Sequence, residues 1–208
     1  TYKESSGHLD ELAGINFEVK DKLSNEEIEQ METIMRDNYQ EKRLFLEKVV
    51  MPSFREALQD SKNLFYTIKK SDEIIAFFRL KREGDKIYFG SFNVNHNAQG
   101  ARIGETMIRE VLNRQNKTIT ANTEVTSPIT QFYLSKLNFV AEEFLPNVAG
   151  TTTDGLTITL DKKTYNLYRR RQVACPCPIE DLNNYLVKGF ERGQVLTYLS
   201  FDRQNNQY

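Results

Sequence analysis

The residues with the clearest chemical potential are Gln99-Gly100-Ala101-Arg102-Ile103-Gly104. Ahead of them, Lys86-Ile87-Tyr88-Phe89-Gly90-Ser91-Phe92 is rich in aromatic and β-branched side chains and reads as a strand that runs on to Val94. Behind them, Ile103, Met107, Ile108, Val111 and Leu112 form one apolar stripe at helical spacing. Glu105/Arg109 and Glu110/Arg114 are i,i+4 pairs on the wet face of that helix. The first amides of a helix have no intrahelical partner and sit at the positive end of its dipole. Gly100 and Gly104 carry no Cβ, so an anion can approach the backbone there. A phosphate or pyrophosphate is the natural occupant. Two glycines would also serve simply to turn the corner between strand and helix, and their spacing alone leaves both readings open.

The elements around this loop can be read in chain order. Residues 1–13 are polar and read as a loose arm. Ile15-Asn16-Phe17-Glu18-Val19-Lys20 alternates like a half-buried strand. Ser24-Asn25-Glu26-Glu27 is a capping box opening a helix with Ile28, Met31, Ile34 and Met35 inside. A second helical stretch spans 41–59, with Leu44, Phe45, Val49, Phe54 and Leu58 apolar and Pro52 kinking or splitting it. Its methionine and phenylalanines either fill a core or line an acceptor channel. Three strands follow at 64–68, 74–80 and 87–94, joined by short turns that imply an antiparallel meander. After the loop and its helix, Thr118–Glu124 is β-rich, and the intervening helix makes the connection a parallel crossover. Ser127-Pro128 starts a helix carrying Ile129, Phe132, Tyr133 and Leu137, which ends near Asn138. Strands at 139–145 and 156–160 complete the series.

Composition narrows the class. The 208 residues suit one domain with an appendage or two small ones, and 28 basic against 29 acidic side chains leave a formal charge of −1. That balance gives no overall argument for nucleic acid or an anionic membrane. No run approaches transmembrane length, and no basic-then-apolar leader opens the chain. Cys175 and Cys177 are too few for a disulfide framework or, alone, for a structural metal site, so a reducing, cytoplasmic setting is the expectation and no metal is assigned. The first residue is Thr1, which suggests a trimmed or processed chain.

Val94, five residues, then Gln99-Gly100-Ala101-Arg102-Ile103-Gly104 resembles the acetyl-CoA loop of the GNAT N-acetyltransferases, Gln/Arg-x-x-Gly-x-Gly/Ala after a strand ending in an apolar residue. Arg102 stands where that family usually has Gly. Thr126-Ser127-Pro128 through Phe132-Tyr133 to Leu137-Asn138-Phe139 resembles a second family element, with Thr126 in place of Asn, Asn138 in place of Gly, and one extra residue between Tyr133 and Phe139. The resemblance covers about residues 15–161. It implies an α/β fold with a mixed, mostly antiparallel sheet flanked by helices in the order β-αα-βββ-α-β-α-ββ. The expected organisation is an arm over 1–13, the acyltransferase domain over 14–161, and a C-terminal α-β extension over 162–208.

The resemblance further implies an enzyme moving an acetyl group from acetyl-CoA to a primary amine. Its pyrophosphate would rest on the amides from Gln99 through Gly100, Ala101, Arg102, Ile103 and Gly104. Its pantetheine would pair like an added strand near Phe92 and Val94, with the Val94 amide facing the developing oxyanion. An alkylamine has a pKa of about 10.4, so a base must take its proton; Glu124 and His96 are the candidates. Tyr133 is the family-matched donor to the departing thiolate, or else a core aromatic. The acceptor stays open among protein N-termini, lysine, polyamines, aminoglycosides and amino acids. A catalytically silent CoA-binding or protein-interaction module of the same fold is the alternative. In the tail, the basic-aromatic run Lys162–Arg171 reads as a solvated linker sooner than a nucleic-acid contact, followed by a helix over 179–187 and a strand over 194–201. The tail either packs on the core or joins two copies in a homodimer; no membrane partner is expected.

Overall fold

The computed structural model describes residues 14–99, 115, 117–125, 127–147, 154–160, 177–192 and 194–196. The expected arm, the loop from Gly100 to Gly104 with its helix, and the 162–171 run lie outside the described residues. Among the described residues, seven strands form one mixed sheet in the order β1-β2-β3-β4-β5-β7-β6. They are β1 (Ile15–Lys20), β2 (Asn63–Lys70), β3 (Glu73–Glu83), β4 (Lys86–Val94), β5 (Thr118–Glu124), β6 (Val140–Leu145) and β7 (Gly155–Leu160). The longer helices among the described residues are α1 (Asn25–Asn38), α2 (Met51–Gln59), α3 (Pro128–Lys136) and α4 (Leu182–Glu191). By contact the chain divides into two compact units, Thr1–Arg82 with Phe89–Met107, and Glu83–Tyr88 with Ile108–Tyr208.

In the first unit, the Ser24 hydroxyl accepts from the Glu27 amide at 3.2 Å and the Glu27 carboxylate accepts from the Ser24 amide at 2.9 Å, the expected capping box. One face of α1 then buries Met31, Ile34 and Met35 against Phe54, Phe65 and Phe77. Ser71 and Asp72 both take positive φ, the geometry a two-residue β2–β3 hairpin demands. Pro52 falls in the first turn of α2, where a missing amide costs little. The preceding Leu46–Val50 is wound as a π-turn, and this is how the chain absorbs the proline. Leu44, expected on the apolar face, is instead exposed, because it sits in a short helical turn before that π-turn.

β1 corrects a second expectation. Its apolar alternation predicts Phe17 and Val19 turned inward, yet they are 41% and 46% exposed. The polar face is the more deeply engaged one, while Phe17 meets the Tyr66 ring at 5.9 Å on the other. Lys20 and Lys69 both reach the buried Glu27 carboxylate, at 2.6 and 2.7 Å, and both also pair with Glu18. Burial alone would raise the Glu27 carboxyl, but the two ammonium groups and the Ser24 amide outweigh it and hold the group at about 2. This cluster ties β1, β2 and the start of α1 together.

In the second unit, β5 runs parallel to the first residues of β4, Lys86–Tyr88 against Thr118–Thr120, as the crossover requires. β7 pairs antiparallel with both β5 and β6. Pro128 opens α3 after an extended Ser127, although the Ser127 hydroxyl makes no capping bond. Asn138 takes a left-handed φ of 63° and ends α3, as its side chain allows. The tail helix begins with a 3-10 turn at Ile179 and continues as α4 to Glu191. α4 buries Leu182 and Leu186 and packs on β6, while Leu196 bridges Ala141. These described tail residues therefore pack on β6 of the second unit.

The carboxyl of Glu27 lies below its unfolded value of 4.5, so its contribution is present above 4.5 and lost as pH falls toward 2. Glu27→Gln should cost roughly 2–3 kcal/mol of stability at pH 7. Urea unfolding at several pH values should show that deficit shrinking between pH 4.5 and 2.

Candidate functional site

The irregular half of β4 is the focus of the first unit. Ile87 and Phe89 are buried and Tyr88 is exposed between them, but this alternation stops at Gly90. A Cβ on Gly90 would come within 3.4 Å of the Arg79 Nε, so the chain is bare where that side chain crosses. Ser91 then adopts φ 51°, uncommon for a residue with a side chain and characteristic of strands bent at functional edges.

Beyond the bend a set of side-chain amides secures the strand end. Asn93 is buried, and its Nδ2 donates back to the Ser91 carbonyl at 3.3 Å. Asn38, the last residue of α1, donates from Nδ2 to Asn93 Oδ1 at 3.0 Å and to the Val94 carbonyl at 3.2 Å. Gln99 donates from Nε2 to the same carbonyl at 3.2 Å and to Asn38 Oδ1 at 3.4 Å. Asn95 donates its backbone amide to the Ile75 carbonyl of β3 at 2.8 Å. Peptide groups alternate sides along an extended strand, so the Val94 amide and carbonyl point to the edge away from β3. The carbonyl of Val94 is already taken by two side chains.

Phe92 is half-buried, its ring 6.2 Å from that of Phe89. His96 is exposed and opens a short 3-10 turn whose backbone closes on Gln99, at 3.3 Å from the Gln99 amide to the His96 carbonyl. Phe92, Val94, His96 and Gln99 are thus brought together at one strand end. Gly100, Ala101, Arg102, Ile103 and Gly104 lie outside the described residues.

The other two expected residues, Glu124 and Tyr133, belong to the second unit. Glu124 closes β5 opposite Gly155. Its carbonyl accepts the Thr130 hydroxyl and the Ser127 amide, and Thr130 shares a 2.7 Å hydroxyl contact with buried Thr123. The first turn of α3 is therefore latched to the end of β5. Tyr133 follows one turn later, only 6% exposed, with its ring centroid 5.6 Å from that of Phe139. The Phe139 amide closes on the Tyr133 carbonyl at 3.1 Å, so the extra residue before Phe139 is taken up in the turn at Asn138.

Sequence reasoning did not single out Asn38, Asn93 or Ser91. The Gly90-Ser91 pair inside an apolar strand was a readable sign of a bulge. Asn38 had no comparable sign, because its value comes from a partner 56 residues away.

The acetyltransferase (GNAT) domain model matches residues 20–142, more than half the chain. The chain belongs to that family, whose reaction is acetyl transfer from acetyl-CoA. None of the curated proteins matches it in sequence. Among solved structures, it is similar in fold to a GNAT-family protein of Desulfovibrio desulfuricans, with 14% identity, TM-score 0.56, and 71% of this chain and 98% of that one covered. It is similar to the PaiA N-acetyltransferase of Thermoplasma acidophilum in complex with coenzyme A, at 13% identity and TM-score 0.53 over 69% of this chain and 98% of that one. It is also similar to Arabidopsis thaliana NAA60 in complex with a bisubstrate analogue, at 15% identity and TM-score 0.54 over 70% and 97%. Among the described residues no helix is long and apolar enough to cross a membrane.

If the amide set holds the strand end, Asn38→Leu, which keeps the size but removes the donors, should lower stability by about 1–2 kcal/mol. Chemical denaturation checks this, and the same substitution at exposed Asn16 should change little.

Proposed function

We propose that the protein moves an acetyl group from acetyl-CoA to the primary amine of an acceptor by direct attack within a ternary complex. The observation that carries this reading is the Val94 peptide. It is turned away from β3 just after the bend at Ser91, past the stretch Lys86–Tyr88 that pairs with β5, with its carbonyl occupied by Asn38 and Gln99. An edge of this kind suits an extended, amide-bearing arm such as pantetheine, which would add to it as a strand does.

In this reading the acetyl thioester supplies the electrophilic carbonyl carbon. The Val94 amide donates to the carbonyl oxygen as negative charge develops there. Amides of Gly100, Ala101, Arg102, Ile103 and Gly104 cradle the pyrophosphate, as residue types at a helix start allow, whereas the Gln99 amide, expected among them, is already given to the His96 carbonyl. Glu124 takes the proton of the attacking amine, directly or through water. Tyr133 donates to the departing thiolate, which needs only mild help because a thiol of this kind ionises near 8.5. The C–N bond forms as the C–S bond breaks, and one proton leaves the amine for each thiol released.

A second reading, a GNAT-fold module that binds coenzyme A without turnover, is motivated by the burial of Tyr133 and by Arg102 and Thr126. A thiol-release assay over a panel of amines separates the two, since binding without release on any acceptor supports only the second.

Gly104→Glu should abolish acetyl-CoA binding by calorimetry, because bulk and negative charge enter the phosphate cradle. Unchanged affinity would rule out a phosphate cradle at this loop. Tyr133→Phe should lower kcat by roughly tenfold or more, with acetyl-CoA affinity retained. If Tyr133 is only a core aromatic, the same variant should change the melting temperature and leave kcat alone.

A further inference from the structure

The first unit holds a cavity of about 450 Å³ beside the end of α1. Its walls include Arg36 and Tyr39, then Arg43 and Leu46, then Met51 and Arg55. We propose that this cavity receives the acceptor and that the acceptor carries a carboxylate besides its reacting amine. The proposal rests on the acetyl-transfer reading above.

The charge count favours an anion. One carboxylate, Glu32, serves two guanidinium groups, at 2.6 Å to Arg36 and 3.4 Å to Arg55. Arg43 pairs with Glu47 at 2.9 Å. Three guanidiniums thus face two carboxylates. Each guanidinium has five N–H donors. Arg36 uses Nη2 on Glu32, and Arg43 uses Nε on Glu47. A concave wall with surplus positive charge concentrates anions. All three cations are arginine, whose planar fork takes a carboxylate through two parallel bonds, which a lysine cannot.

Shape and position agree with this. Leu46 and Met51 are buried and give the cavity an apolar side for an aliphatic stem. The volume suits an amino acid or the first residues of a peptide. The π-turn Leu46–Val50 contributes Leu46 to the wall, and such turns recur at functional sites. Asn38 lies between Arg36 and Tyr39 in sequence and bonds the Val94 carbonyl. The cavity and the strand edge proposed for the thioester therefore flank the same end of α1, on different faces of the helix. A polyamine or aminoglycoside would bring like charge to this wall, so the acidic end of the acceptor range is selected.

The test uses the full chain with acetyl-CoA and four acceptors: free glutamate, Ala-Glu-Glu, amidated Ala-Gln-Gln and spermidine. Thiol release should favour glutamate or Ala-Glu-Glu over the other two by about tenfold or more in kcat/KM, and the better of those two tells a free amino acid from a peptide. R43Q should raise the KM for the preferred acidic acceptor about threefold, the size of effect a solvent-exposed ion pair carries. Arg43 has an 83% exposed side chain, so folding does not confound that variant. R36Q/R55Q should act in the same direction, with its melting temperature measured alongside. Equal use of spermidine or of the amidated peptide, or an unchanged KM in R43Q, overturns the proposal. Acetyl-CoA affinity measured separately reports on the underlying reading. If acetyl-CoA fails to bind or no acceptor releases thiol, calorimetric titration of glutamate and Ala-Glu-Glu into wild type and R43Q decides the cavity on its own. Weaker binding of either to R43Q supports it; equal or absent binding overturns it.

Discussion

A single backbone hydrogen bond sets the geometry of the candidate site. Asn95 donates across to Ile75 on β3, and strand alternation then obliges Val94 to direct its peptide groups to the opposite edge. A carbonyl so placed needs donors, and the fold provides them from side chains, Asn38 at the end of α1 and Gln99 after the 3-10 turn. The positive φ of Ser91 lets the strand depart from its earlier alternation before this point. Such a conformation persists only where neighbours over-determine it. Here Asn93, bonded both to the Ser91 carbonyl and to Asn38, is one of those neighbours.

The rest of the first unit can be understood as anchoring the far end of α1. Asn38 can reach β4 reproducibly only if the helix has a definite start and a definite seat. Its start is defined by the Ser24 box. Its seat is defined by Met31, Ile34 and Met35 on the aromatic core, and by Glu27 held between Lys20 and Lys69. Desolvating a carboxylate is costly, and only two cations and a backbone amide offset it, which makes this cluster specific to one docking of β1, β2 and α1. The second unit solves a similar problem with neutral groups. Thr123 and Thr130 join β5 to α3 through buried hydroxyls, so Glu124 and Tyr133 are carried on elements latched to each other.

Much of this architecture was legible in the residues. The capping box, the Ser71-Asp72 turn, the Pro128 helix start and the Asn138 helix end are local chemistry, and each forms where its residue types predict. The parallel join of β4 to β5 followed from a helix lying between two strands in the sequence. What the pattern concealed were effects that depend on distant partners. The apolar face of β1 looked like the inner one until Lys69 of β2 and Glu27 of α1 claimed its polar face. Leu44 looked like core until the π-turn changed the helical phase around it. For the site, the loop residues and Val94 carried a family pattern, whereas Asn38 and Asn93 are ordinary asparagines until the fold brings them to one carbonyl.

The proposed reaction requires the Val94 amide to face the acetyl thioester. Assigning the backbone amide resonances and following them while acetyl-CoA is added tests it directly. At saturation the Val94 amide should shift strongly and exchange more slowly with solvent, while the Asn95 amide, already bonded to Ile75, changes far less. Saturable binding of acetyl-CoA with the Val94 amide unmoved and its exchange unaltered would contradict it.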